Sequence, residues 1–186
     1  MPRRLLLALV TLSMNILACS IFVGGPAYPD TPIPVSADAQ NSLQTEIEQA
    51  ISQSAQSGTI TLHITESQLT SYLASKLDAQ TTPVITDPQV LLRDGEILVY
   101  GKAASGIFTA NISVAIKVSI DENGQPKFEI TQTDIGPLPA PQSVNDAASS
   151  FVREILTGSL GPVATGFRLD SISIANGAME VSGHIK

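Results

Sequence analysis

Between Ile107 and Asp121 every second residue is apolar. Phe108, Ala110, Ile112, Val114, Ile116, Val118 and Ile120 hold one side, with Thr109, Asn111, Ser113, Ala115, Lys117 and Ser119 between them. Seven consecutive matches to a period of two predict a long strand with one buried and one wetter face. Thr59 to Thr65 follows the same rule, with Ile60, Leu62 and Ile64 inward and Thr59, Thr61, His63 and Thr65 outward. Elsewhere the period changes to that of a helix. Leu43, Ile47, Ala50, Ile51 and Ala55 predict a helix over Ala39 to Gln56, stopped by Gly58. Thr65-Glu66-Ser67-Gln68 has the form of a capping box, and Leu69, Tyr72, Leu73, Lys76 and Leu77 continue it as a short helix.

Turn chemistry orders the rest. Asp94-Gly95 and Asn176-Gly177 sit between apolar runs and predict tight hairpins, because both central residues must accept positive φ. Asn123-Gly124 turns the long strand into a partner over Lys127 to Ile135. Asp78 to Asp87 reads as a loop, and Gly136 to Pro141 as a rigid connection. Ser143 to Leu156 reads as a further helix, with Val144, Ala147, Ala148, Phe151, Val152, Ile155 and Leu156 on a broad apolar face. Gly158, Gly161 and Pro162 end it. The last hairpin covers Arg168 to Ala175 and Ala178 to Lys186. Strands and helices do not alternate as βαβ units, so a parallel sheet is not expected. The fold class is α+β: a curved antiparallel sheet with helices packed on its apolar face, formed by a single domain over residues 39–186.

The N-terminus changes the picture from a free domain to a tethered one. Arg3 and Arg4 precede an apolar run from Leu5 to Leu17, and Ile16-Leu17-Ala18-Cys19 follows. This is similar to a bacterial lipobox, which implies a signal peptide over residues 1–18 and a diacylglyceryl thioether on Cys19. A rival reading is an uncleaved anchor, since Leu5 to Val23 approaches the ~20 residues that span a bilayer. Cleavage and release is a third. All three place the domain outside the cytoplasm, and the first two anchor it to the bacterial cell membrane. Residues 19–38 read as a Pro-rich linker, with Pro26, Pro29, Pro32 and Pro34, that holds the domain off the membrane.

Charge and composition then exclude whole classes. Arg3 and Arg4 lie in the leader, which leaves 8 of the 10 basic residues against 17 acidic ones, a net charge of −9. No Lys/Arg cluster is present, so neither a nucleic-acid backbone nor an anionic membrane patch has a complement here. Cys19 is the only cysteine, so no intramolecular disulfide and no multi-cysteine metal site can form. There is no G-x-S-x-G elbow, no His-Glu-x-x-His and no phosphate-binding glycine loop. His63 and His184 read as surface histidines, and Asp121-Glu122-Asn123-Gly124 as a turn in preference to a metal loop. The expectation is a protein with no enzymatic activity, catalytic residue, metal site or cofactor.

The run Ile60 to Leu73, which is a strand, Thr65-Glu66 and a short helix, resembles the opening of small bacterial envelope domains related to the tubular lipid-binding (BPI-like) superfamily. The hairpin around Asp94-Gly95, the strand to Ile120, Ile135-Gly136-Pro137-Leu138-Pro139 before a helix, and the final hairpin around Asn176-Gly177 extend the likeness over about residues 39–186. The resemblance implies a strongly bent antiparallel sheet wrapping one long helix, with shorter helices beside it. It also implies an apolar groove and lipid binding in the envelope.

On this reading the aliphatic stripe lines a groove between helix and sheet. Phe108, Ile112, Val114, Ile116 and Val118 would come from the strand, and Phe151 and Ile155 from the helix. The expected function is a membrane-tethered extracytoplasmic domain that binds a lipid or other apolar ligand. The alternative is a structural or protein-interaction lipoprotein whose core is filled. In that case the stripe is ordinary core and the acidic surface serves a protein partner.

Overall fold

The computed structural model describes residues 20–81, 85–137 and 161–186. The leader, Cys19 and the helix expected over Ser143 to Leu156 lie outside the described residues. The described chain is α+β and rich in antiparallel strands. It begins with a two-residue strand β1 (Ile21–Phe22), then helix α1 (Ala37–Ser57), β2 (Thr59–Thr65), α2 (Glu66–Asp78), β3 (Ile85–Arg93), β4 (Glu96–Ser105), β5 (Phe108–Ile120) and β6 (Pro126–Asp134). A short helix α3 (Gly161–Gly166) leads into β7 (Phe167–Ala175) and β8 (Ala178–Ile185).

The strands form two hydrogen-bonded sheets where the sequence suggested one. The first has the order β1-β5-β4-β3, with β6 also on β5; the second has the order β2-β8-β7. Along one edge, β5 pairs with β4 from Phe108 to Lys117. Its other edge carries β1 at Phe108 and Thr109, and β6 from Ser113 to Ile120. Every pairing is antiparallel except β1 with β5. The two sheets meet at their turns: the Gly95 amide donates to the Ile174 carbonyl (3.1 Å), and the Gly177 amide to the Leu92 carbonyl (3.2 Å). Asp94, Gly95, Asn176 and Gly177 all have positive φ, as both turns require.

Helix α1 runs 21 residues. Its N-cap is Ser36, whose hydroxyl accepts from the Ala39 amide, and Gly58 closes it in a left-handed conformation. The buried face is Leu43, Ile47, Ala50 and Ser54. Ala55, expected inside, is exposed; the helix turns Ser54 inward instead, and its hydroxyl is satisfied by the Ile51 carbonyl at 2.6 Å. Helix α2 has the expected capping box, with Thr65 and Gln68 bonding reciprocally. Gln68 to Ala74 are all buried, because α2 lies between α1 and β3. Among the described residues α1 is the longest helix, and α2 packs beside it.

Several boundaries shift for local reasons. Strand β3 starts at Ile85, inside the expected loop, and accommodates Pro88 at an irregularity between Thr86 and Gln89 where Asp87 takes a positive φ. Strand β4 continues to Ser105 and turns at Gly106-Ile107 into β5. The stretch Gly161-Pro162, expected only to end a helix, begins α3, since proline is tolerated in a first helical turn. One core joins both sheets and the helices: Leu43 and Ile47 of α1, Ile60, Leu62 and Ile64 of β2, Leu69 and Leu73 of α2, Val90, Leu92, Ile97, Val114 and Ile116 of the first sheet, and Leu169, Ile174, Met179 and Val181 of the second. Full burial of such side chains stabilises by about 1.5–3 kcal/mol each.

The Pro-rich segment before α1 forms no helix among the described residues and is fastened to the domain by hydrogen bonds. The Val23 amide donates to the Thr109 carbonyl (2.9 Å), and the Asn111 amide to the Gly24 carbonyl (2.9 Å). The Asn111 side chain donates to the Pro26 carbonyl (3.1 Å). Gly25 has φ +125 and lies so close to strand β5 that a Cβ there would meet the Asn111 carbonyl oxygen at 2.3 Å. Farther on, Gln89 clamps Ile33 through both its amide hydrogen bonds (2.6 and 3.2 Å), and the Ser36 amide donates to the Ser71 hydroxyl (3.1 Å). Proline supplies the extended backbone, and the sheet edge supplies the partners.

Candidate functional site

The inner row of β5 is the site the sequence singled out. It faces the core, and its residues pair across the sheet with positions on the same face: Ile112 with Gly101, Val114 with Val99, Ile116 with Ile97. Ile112, Val114 and Ile116 are 2%, 4% and 1% exposed and contact protein on the inner face. Val118 is half-buried, and Phe108, at the strand's start, is exposed. Cys19, Phe151 and Ile155 lie outside the described residues.

The row therefore has two halves. From Ala110 to Ile116 it is closed. From Val118 to Ile120 it opens, and Phe128 of β6, directly opposite Val118, is half-buried beside it. All three still pack against the main core. Ile120 and Phe128 were not among the candidate lining residues, although the unbroken period of two already placed Ile120 on the row. Phe128 becomes a neighbour only through the β5–β6 register, which shifts by one residue between Ala115 and Ile116. The closed half includes a smaller cluster of Ala103, Ile112 and Ile135 with Ile85 against it.

A trough of about 610 Å³ runs along α1, lined by Asp38, Asn41, Ser42, Thr45, Glu46, Gln49, Ala50, Gln53 and Thr61. Carboxylates, amides and hydroxyls stand among its walls, and the lining surface is about evenly polar and apolar. It is also bridged from below, since the Gln68 side chain donates to the Ser42 hydroxyl (3.1 Å) and to Glu46 (3.2 Å).

The histidines are on the surface, as read. His63 is exposed, and its backbone amide donates to Glu46 at 3.1 Å. His184 Nδ1 lies 3.0 Å from Asp170, with both side chains about half exposed. The neighbouring hydroxyls of Ser171 and Ser182 bond each other at 2.8 Å. An exposed His–Asp pair whose nearby serines are mutually engaged lacks the buried, water-excluding setting of a nucleophilic triad. No group of three or more His, Cys, Asp or Glu positioned for a metal occurs among the described residues.

The Asp121 loop is the hairpin turn it was read to be. Its carboxylate accepts from the Gln125 amide (2.7 Å) and the Asn123 amide (2.9 Å). The Gln125 bond is the main reason its carboxyl is held below the usual range. Tyr28 shifts the other way. Burial of its ring in the strap, assisted by the charge of Asp87, pushes the phenol up to about 12. The ring stands edge-on to Tyr100 at 6.4 Å, the Lys102 ammonium lies 5.8 Å from its centroid, and the hydroxyl donates to the Asp87 carbonyl.

No helix among the described residues is long and apolar enough to cross a membrane. No protein-family model matches the chain, and no curated protein matches it at a significant level. Among solved structures the chain has a distant neighbour, a lipopolysaccharide binding protein, at 13% sequence identity and a TM-score of 0.25. The likeness covers 69% of this chain and 49% of that one, so it spans about half of the neighbour's length.

Proposed function

We propose that this chain is an extracytoplasmic domain, tethered to a bacterial membrane at its N-terminus through a lipid on Cys19 and without enzymatic activity. It holds a lipid or other apolar molecule along the open half of the β5 row. The observation that carries the ligand reading is the half-open stretch of Val118, Ile120 and Phe128, three apolar side chains that continue the packed core. An acyl chain laid there would extend a core that is already dry on one side, and each buried methylene contributes about 0.8 kcal/mol. The lipobox-like Ile16-Leu17-Ala18-Cys19 supports the tether, as does the apolar run before it.

A specific observation favours the second reading, a filled-core interaction lipoprotein: Ile112, Val114 and Ile116 are already covered by protein. Native mass spectrometry with lipid extraction separates the two. The ligand reading expects co-purifying lipid or fatty acid on the purified chain, lost in Val118→Glu while circular dichroism is unchanged. A bare chain mass from several expression hosts contradicts it and leaves the interaction reading. The same spectra report the mass added at Cys19, and an unmodified, leader-free or unprocessed chain contradicts the lipid tether.

A further inference from the structure

The described chain carries a second apolar surface, at the end of the first sheet where the N-terminal strap joins it. Ile21, Phe22, Ile107 and Phe108 are 48%, 59%, 56% and 41% exposed. They are brought together by pairing. Ile21 sits beside Phe108 and Phe22 beside Thr109, and the Ile21 amide donates to the Ile107 carbonyl at 2.7 Å. Ile107 and Phe108 form the tip of the β4–β5 hairpin, after Gly106. No charged residue occurs in Ala103 to Ile116 or in Ser20 to Pro29, although the whole chain carries a net charge of −7.

The chain's own connectivity says what lies against this end. Ile21 is fixed to the sheet, and Cys19 is two residues before it, so the backbone between them spans at most ~7 Å. With Cys19 tethered, as proposed above, the strap leaves no slack, and the hairpin tip is held within reach of the interface. The arrangement of side chains also favours a bilayer over a protein surface. Ile21 and Phe22 point to opposite faces of the sheet edge. A protein partner would cover one face, whereas the acyl–headgroup boundary surrounds a tip and covers both.

We infer that the Ile21-Phe22 strand and the Ile107-Phe108 hairpin tip together enter the membrane interface, so that the domain stands with this end in the bilayer and not at a spacer's distance above it. The contact is apolar and uncharged. It requires no anionic headgroup, and salt does not loosen it.

The chain contains no tryptophan, so a single introduced one reports on its own position. Phe108→Trp places the reporter at the proposed tip. Ile185→Trp, at 44% exposure, places it far away: Ile185 pairs with Phe167, and the Leu169 amide bonds the Gly124 carbonyl (2.9 Å) beyond the other end of β5. Each full-length variant is reconstituted into phosphatidylcholine vesicles with brominated acyl chains, with and without phosphatidylglycerol, at low and high salt. The inference expects a blue-shifted, bromine-quenched emission at position 108, unshifted and unquenched emission at 185, and no dependence on headgroup charge or salt. Vesicle-bound protein whose reporter at position 108 is unquenched overturns the tip while leaving the tether standing. Protein that does not float with the vesicles overturns both. A blue shift at 108 that appears without vesicles and grows with protein concentration shows a second copy covering this end, and overturns the inference as well.

Discussion

The two ends of β5 belong to one strand and one alternation, yet they are treated oppositely. At the start, Phe108 is exposed at an apolar hairpin tip, beside a strap held by backbone hydrogen bonds and a glycine that touches bare main chain. At the finish, Ile120 is half-buried and the next residue, Asp121, organises a charged turn whose backbone reaches across to β7. Between them the row is closed. Periodicity alone tells which residues face inward. What lies over them is decided by the partners each end finds, and only the middle finds enough of them.

The largest expected effect separates the closed half from the open half. Ile116→Ala leaves a cavity among fully buried neighbours and costs about 2–5 kcal/mol. Val118→Ala removes a half-buried side chain and costs roughly 1 kcal/mol. Urea unfolding of the two variants measures the difference, and equal losses would erase the distinction between the halves. Thr70→Val comes next. The Thr70 hydroxyl accepts from the buried Val90 amide (3.0 Å), and removing it leaves that donor unpaired, a cost of about 1–3 kcal/mol. That loss would show that α2 holds the first sheet by a specific bond, and a neutral result would reduce the contact to packing.

Gly25→Ala tests the strap beside the start of β5. The residue combines a positive φ with a sub-contact approach to the Asn111 carbonyl, and strain of ~1–3 kcal/mol is expected. Hydrogen exchange should speed up at the Val23 and Asn111 amides while the β2–β8 ladder keeps its protection. Tyr28 gives a smaller readout of the same strap. Its phenol ionises at about 12 in the folded chain, above the ordinary value near 10. The folded form therefore holds the proton more tightly, and this stability is fully present below pH ~10 and lost as pH rises through the folded value. Absorbance titration should show a tyrosine that ionises late, and Tyr28→Phe should remove that step. The smallest effect is at the charged end. Asp121 has a depressed pKa, so its contribution is present at neutral pH and lost as pH falls through the folded value. Asp121→Asn should flatten that acid limb slightly, as expected for a fully exposed group.

Much of the fold was legible because it is local. The β5 alternation, the capping box at Thr65 and Gln68, and the two positive-φ turns each need only neighbouring residues to be read. The strap was not legible. A proline-rich stretch looks like a spacer until its carbonyls and amides meet Thr109, Asn111 and Gln89, some 56 to 87 residues away in sequence. The junction of the two sheets was hidden for the same reason: Glu66 reads as part of a cap, yet its carboxylate also accepts from the Leu92 amide (2.8 Å) and pairs with Arg93. At the candidate site the inward row could be read from the sequence, but not which part of it is closed. That division depends on the partners that β4, β6 and the helices bring.

The central claim is that the open half of β5 receives an apolar molecule. Titration of the purified chain with an environment-sensitive fluorescent fatty acid tests it most directly. The account predicts saturable binding of one probe per chain, displaced by unlabelled acyl lipid, weakened at least tenfold by Val118→Glu and unaffected by Ile185→Glu. Absent binding, or binding equally strong in the Val118 variant, would contradict it.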